Sequence, residues 1–224
     1  MSLLEQSRQA LRARAPGMFP KYEFIVDTGD EVSKARKFWL TCQSLDSEFA
    51  QRFGLSVVGC AGIRRFRDYI VAPVVSGGDV GSVQVSKPGK SKMWPSISFS
   101  GCAHVLIRPR AAITCVTASI MPALAIFQSM RMANVVCSFD DENAVAAASN
   151  LGIMGSVVFV ASSRDTAKLE AQADKFGAGF AKFQGIEGCD AADAMREWGE
   201  QAPGRIRRTV EAASRYVARA KQMQ

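Results

Sequence analysis

The chain has a single histidine, His104, two residues from Cys102, and this pair is its one arrangement of residue types that could activate a nucleophile. Alternate residues of a strand point to the same side, so an imidazole at 104 could take a proton from the thiol. A histidine packed at a strand edge beside a buried cysteine accounts for the same two residues without chemistry. A serine nucleophile would need the same imidazole. Gly89-Lys90-Ser91 has the ending of a phosphate-binding loop, but Gln84 stands where the first glycine belongs, and Met93-Trp94-Pro95 follows in place of a helix. Val57-Val58-Gly59-Cys60-Ala61-Gly62 has two glycines of a dinucleotide turn without the third, and no acidic residue closes a following strand. Ser162-Ser163-Arg164 lies between a strand pattern and a helix pattern, where open α/β sheets bind anions. Capping of that helix is enough to explain both serines. Asp140-Asp141-Glu142 has the donors for magnesium, yet carboxylates at a helix start are explained by the helix dipole. No catalytic residue, metal or cofactor is expected from these patterns.

Three basic clusters remain as candidates for binding nucleic acid or another anion. The first is Arg64, Arg65 and Arg67. The second is a loop carrying Lys87, Lys90 and Lys92 next to Trp94, which pairs phosphate contacts with a stacking surface as single-strand binders do. Lysines at a hairpin tip also protect a sheet edge, so this loop has two readings. The third is the C-terminal tail, with Arg205, Arg208, Arg215 and Arg219. From residue 203 onward there are six basic residues against one acidic, which places +5 of the net +7 in the tail. Taken as one helix, it has an apolar stripe of Ile206, Val210, Ala213, Val217 and Ala220 about 80° wide, with Arg208, Arg215 and Arg219 opposite. Arginines in the first turn oppose the helix dipole, so local stability gives no reason for them.

The elements that must position these residues read as follows. Ser2 to Arg14 fits a capped short helix, and Tyr22 to Val26 a strand. Asp30 to Gly54 has apolar residues every three or four positions (Val32, Ala35, Phe38/Trp39, Cys42, Leu45, Phe49, Phe53), which predicts one long helix. Leu55 to Thr117 reads as an antiparallel meander with runs at 69–75, 80–85, 97–99, 104–107 and 112–117. Pro122 opens a buried helix through Met132. Asn134 to Ser138 is a strand, and Asp140 caps a helix ending at Gly152. Ser156 to Ala161 is a buried strand, with a capping box at Ser162–Asp165 and a helix stopped by Gly177 after it. Gly179 to Phe183 forms another strand, and Asp190 caps a helix through Trp198. Pro203-Gly204 separates that helix from the tail. The fold class is mixed α+β: N-terminal helices with a mainly antiparallel meander, a C-terminal β-α-β portion and a basic terminal helix. The regions are 1–120, 121–202 and 203–224, with the choice between one domain and two left open.

Composition bounds the rest. Of 224 residues, 48% are hydrophobic and 22% charged, which is ordinary globular usage and argues against long disorder. The six cysteines, at 42, 60, 102, 115, 137 and 189, form no C-x-x-C pair and sit mostly in apolar runs, as buried free thiols do. The first fifteen residues carry Glu5, Arg8, Arg12 and Arg14 and do not read as a signal peptide, and the longest apolar run is too interrupted to span a membrane. A cytoplasmic location follows as the expectation. The first functional reading is a non-catalytic nucleic-acid-associated protein acting through the basic helix and the lysine loop. The second is a subunit of a larger assembly that faces an acidic protein surface. The third is an enzyme on a small phosphorylated or acidic substrate at the Ser162–Arg164 turn.

Overall fold

The computed structural model describes residues 29–56, 62–76, 79–88, 90–94, 101, 103–150, 156–162, 166–186 and 190–222. The expected helix at Ser2–Arg14 and strands at Tyr22–Val26 and 97–99 lie outside them. The apolar stripe from Asp30 to Gly54 is buried as its spacing requires, but not on one helix. Helix α1 (Gly29–Thr41) ends where the Thr41 hydroxyl turns back to the Phe38 carbonyl, 2.7 Å away. A two-residue strand β1 (Gln43–Ser44) follows, then α2 (Ser47–Gln51). Asp46 starts α2 by accepting from the Phe49 N–H at 2.8 Å. An aspartate cap inside the stripe and edge pairing of β1 outweigh helix continuity. Ala35, Cys42, Leu45, Phe49 and Phe53 are all buried on the broken path, while Leu40 is exposed. Gly54 ends the segment at φ +68°, a left-handed conformation suited to glycine.

The first sheet is antiparallel throughout, in the order β1-β2-β3-β4-β5, with β2 at Arg64–Phe66, β3 at Tyr69–Ser76, β4 at Asp79–Lys87 and β5 at Lys90–Trp94. Strand period sorts its two faces. Val71, Val83 and Val85 lie under α1 with Phe38, Trp39 and Cys42. Ile70, Ala72 and Val74 face the main core, and the matching face of β4 is a buried polar row of Ser82, Gln84 and Ser86.

The second sheet has the order β10-β9-β7-β8-β6, with β6 at His104–Leu106, β7 at Ile113–Thr117, β8 at Ala133–Cys137, β9 at Ser156–Val160 and β10 at Gly179–Ala181. All neighbours are parallel except β6, which runs antiparallel to β8. The expected meander therefore stops before residue 104: the runs at 104–107 and 112–117 belong to this second sheet. Their Val- and Ile-rich, both-sides-apolar composition suits a parallel sheet covered on both faces. One face carries α3 (Ile120–Ser129), α6 (Ala191–Trp198) and α7 (Ala202–Gln222), and the other carries α4 (Ala144–Asn150) and α5 (Ala167–Phe176). In α3, Ile120 through Phe127 are all buried, with Pro122 in the first turn as expected. Helix α4 starts later than Asp140, because the Asp140 carboxylate accepts the Glu142 N–H at 2.7 Å and makes a turn instead of a cap. Pro203 and Gly204 lie inside the first turn of α7, where proline's missing N–H is no loss, so they do not separate two helices. Ile206 and Val210 are fully buried, which docks α7 against α3, α6, β9 and β10. Among the described residues no helix is long and apolar enough to cross a membrane.

Cys42, Cys115 and Cys137 are buried and unbridged, and burial pushes the thiols of Cys115 and Cys137 up to about 12. These two should resist alkylation in native protein at neutral pH and react fully in denaturant, as peptide mass spectrometry would read. Rapid native labelling of either would contradict its core position.

Candidate functional site

A cleft of about 1110 Å³ opens where the first sheet meets the carboxyl ends of the parallel strands. The topology explains its place. Strand β7 leads to α3 on one face, whereas its neighbours β8 and β9 lead to α4 and α5 on the other, so the connections diverge and leave a crevice. Residues just beyond those strand ends line it: Ala118 and Ser119 after β7, Asp140 and Asp141 after β8, and Ser162 after β9.

The wall opposite is the β4–β5 hairpin. Lys87, Lys90 and Lys92 all line the cleft, so what reads as a lysine loop is mostly paired strand, with Lys87 in register with Lys90 and Val85 with Lys92. Lys90, Lys92 and Trp94 alternate along β5, an edge strand, and share the face on which Val83 and Val85 meet α1, while Ser91 and Met93 turn to the cleft floor with Gln84 and Ser86, so the lysines stand along its rim. Trp94 is 39% exposed and rests on Phe38 with ring centroids 5.1 Å apart. Lys87 lies over the Tyr69 ring at 4.9 Å. Among the described residues no carboxylate pairs with Lys90 or Lys92.

Gln84 holds the floor. Its side-chain oxygen accepts the Ile120 N–H at 2.8 Å, satisfying one of the open donors at the start of α3, and also accepts from the Ser86 hydroxyl at 3.3 Å. From Ser86 the chain runs to Ser91 (2.9 Å) and on to Ser119 (2.8 Å). This hydroxyl relay ties the hairpin to the head of α3 and fixes the lysine wall relative to the parallel sheet. The alternation of Ser82, Gln84 and Ser86 with Val83 and Val85 is the sign of it in the sequence.

The other wall is acidic. Ser162 donates to the Asp141 carboxylate at 3.2 Å, so this serine joins two strand ends and does not cap α5; Ser163 to Asp165 lie outside the described residues. Glu142 turns away to pair with Lys168. No group of three histidine, cysteine or acidic side chains among the described residues is placed to share a metal ion. At the rim, Asp190 caps α6 by accepting from the N–H groups of Ala192 (2.8 Å) and Asp193 (2.9 Å). Its withdrawal from water pushes its carboxyl up to about 6, although those two N–H groups pull the other way. Asp193 in turn pairs with Arg196.

The other expected basic residues are placed apart from this wall. Arg64 donates to the Trp39 carbonyl at 2.8 Å and lies over that ring at 4.6 Å, so it fastens α1 to β2. Arg65 pairs with Asp46 at 3.0 Å, and Arg67 is exposed beside Phe66. On α7, Arg205 lies 3.9 Å over the Trp198 ring, Arg208 is exposed, and Arg215 meets Glu211 at 3.5 Å. The α7 backbone continues through Arg219. His104 is buried on β6 and Cys102 lies outside the described residues, so the histidine–cysteine arrangement that the spacing allows has no described geometry.

No family model and no curated protein sequence matches this chain. Chains of similar fold occur among solved structures, including the two that follow. One is the bacteriophage T7 lagging-strand DNA polymerase interacting with primase domains of two gp4 subunits bound to an RNA/DNA hybrid and dTTP, with 15% identity over 77% of this chain and 92% of that one, and a TM-score of 0.49. The other is the RNA polymerase domain of the Mycobacterium tuberculosis primase DnaG, with 15% identity over 96% of this chain and 87% of that one, and a TM-score of 0.44.

Proposed function

We propose that this protein binds a nucleic-acid strand, without catalysing its chemistry, through the lysine wall of the cleft and the basic face of α7. The observation that carries the reading is the hairpin. Three lysines from paired strands stand along one edge with an exposed tryptophan on the same face, held in place by the Gln84 relay. Phosphates spaced along a polymer suit such a row, and a base can stack on the ring. A small anion could use only one cluster at a time, whereas a strand can reach lysines on the hairpin and arginines on α7 together.

The test is oligothymidylate binding by fluorescence anisotropy across a salt series, comparing the full chain with a Lys87→Gln, Lys90→Gln, Lys92→Gln triple variant. Loss of three phosphate contacts should weaken binding on the order of tenfold or more and lower the log–log salt slope by about two units. Folding stability should change by less than about 1 kcal/mol, because the lysines are largely solvated. Equal affinity and equal slope in both proteins would overturn the proposal. So would capture of an acidic protein partner by the hairpin with no oligonucleotide bound by either protein.

A further inference from the structure

We infer that a second groove, formed where β10 leaves the sheet and α7 begins, is an anion site that takes a backbone phosphate of the same strand; this rests on the nucleic-acid reading above. The groove, about 390 Å³, is lined by Lys182, Gln184, Trp198, Arg205, Arg208 and two residues of the next turn of α7, and no carboxylate is among them. Its three cations come from two elements distant in sequence, one following β10 and two on α7.

Each cation is placed by the fold. Trp198, the last residue of α6, packs edge-on against buried Phe183 with centroids 6.2 Å apart, and so offers a fixed face. Arg205 lies on that face at 3.9 Å, which holds its guanidinium in the groove and lowers the entropy lost on binding. Arg208 is one turn further on the same side of the helix. A methyl group at Gly204 would stand 3.7 Å from its Nη1, so its guanidinium folds back over the first turn of the helix. Lys182 reaches the Thr166 hydroxyl at 3.5 Å, a neutral partner that leaves its charge uncompensated. Among the described residues no ion pair engages Lys182, Arg205 or Arg208.

Three like charges gathered in one concavity repel one another, and the position of Arg205 and Arg208 early in α7 adds the unfavourable helix dipole. Packing explains Arg205 alone. A phosphate oxygen set among the three would offset both costs, and guanidinium forks match its geometry. Sequence spacing singles out Arg208 with Arg215 and Arg219 as an outward ridge. The folded chain also groups Arg208 with Arg205 and Lys182, a residue that nothing in the sequence marks.

Lysine acetylation footprinting read by mass spectrometry tests the site on the full chain, with and without a twenty-nucleotide oligothymidylate, and separately with inorganic pyrophosphate. The strand should slow acetylation of Lys182 severalfold, and an Arg205→Gln, Arg208→Gln variant should lose that protection while Lys90 and Lys92 keep theirs. A Lys182→Gln variant leaves the Trp198–Arg205 stack intact and should still bind the strand about three- to tenfold more weakly. Protection of Lys90 and Lys92 without Lys182 would overturn the groove and leave the hairpin reading standing. Protection of Lys182 by pyrophosphate alone, with no lysine protected by the strand, would keep the anion site, assign it to free phosphate, and remove the nucleic-acid reading. No protection of Lys182 by either probe would overturn the site.

Discussion

Replacing Gly179 by alanine is expected to destabilise the protein by about 3 kcal/mol or more and to loosen α7 from the sheet. Gly179 opens β10, and a Cβ there would sit 2.6 Å from the Ala213 carbonyl oxygen and 2.9 Å from its carbon. Both are backbone atoms in the middle of a 21-residue helix, so no side-chain rotation relieves the clash. The helix must shift as a body, which disturbs the packing of Ile206 and Val210, both fully buried. Gly177 is the internal comparison. Its φ of +68° disfavours alanine, but a Cβ there meets nothing within 4 Å, so Gly177→Ala should cost only about 1–2 kcal/mol. Urea unfolding of the two variants ranks them. An equal or smaller loss for Gly179→Ala would mean that α7 is not in close contact with β10. The groove at Lys182 and Arg205 depends on the same contact, so this variant should also lose Lys182 protection.

The second large effect is a pH dependence. His104 is 5% exposed, and neither ring nitrogen has a hydrogen-bond partner among the described residues. Burial disfavours the imidazolium and lowers its pKa from 6.5 to about 4. The unfolded chain therefore takes up a proton below pH 6.5 that the folded chain refuses until about pH 4. Stability contributed by the neutral ring is fully present above 6.5, falls as pH drops through that window, and levels off below about 4, a loss of about 3 kcal/mol. Asp190 acts in the opposite sense. Its folded pKa of about 6 exceeds the ordinary 3.8, so the folded state gains stability as pH falls between those values. The two partly cancel in the wild-type profile. Comparison with His104→Leu separates them, because the wild-type advantage over the variant should shrink by about 3 kcal/mol between pH 7.5 and pH 4. A difference that stays constant with pH would show that the imidazole is not held neutral by burial.

What the sequence determined by itself was local. The buried run at Ser156–Val160, the stop at Gly177, the Asp190 cap and the Ile206/Val210 stripe of the last helix are all legible because caps, left-handed glycines and apolar periods act within a few residues. The same local rules read the stripe from Val32 to Phe53 as one helix, and the burial pattern held while the helix did not. The deciding partner of β1 is β2, some twenty residues on, and no period records it. Tertiary structure alone assigned His104–Leu106 and Ile113–Thr117 to the parallel sheet, since a short apolar run carries no mark of which strand it will pair with. It also decided which charges stand together. The lysine wall, the Gln84 relay and the Ser162–Asp141 contact meet in one cleft because the connections after β7, β8 and β9 diverge over opposite faces. Lys182 joins Arg205 because Gly179 lets a helix backbone approach a strand to within van der Waals reach. Such proximity is a sum of long-range packing, to which each residue's own type and near neighbours contribute only a small part.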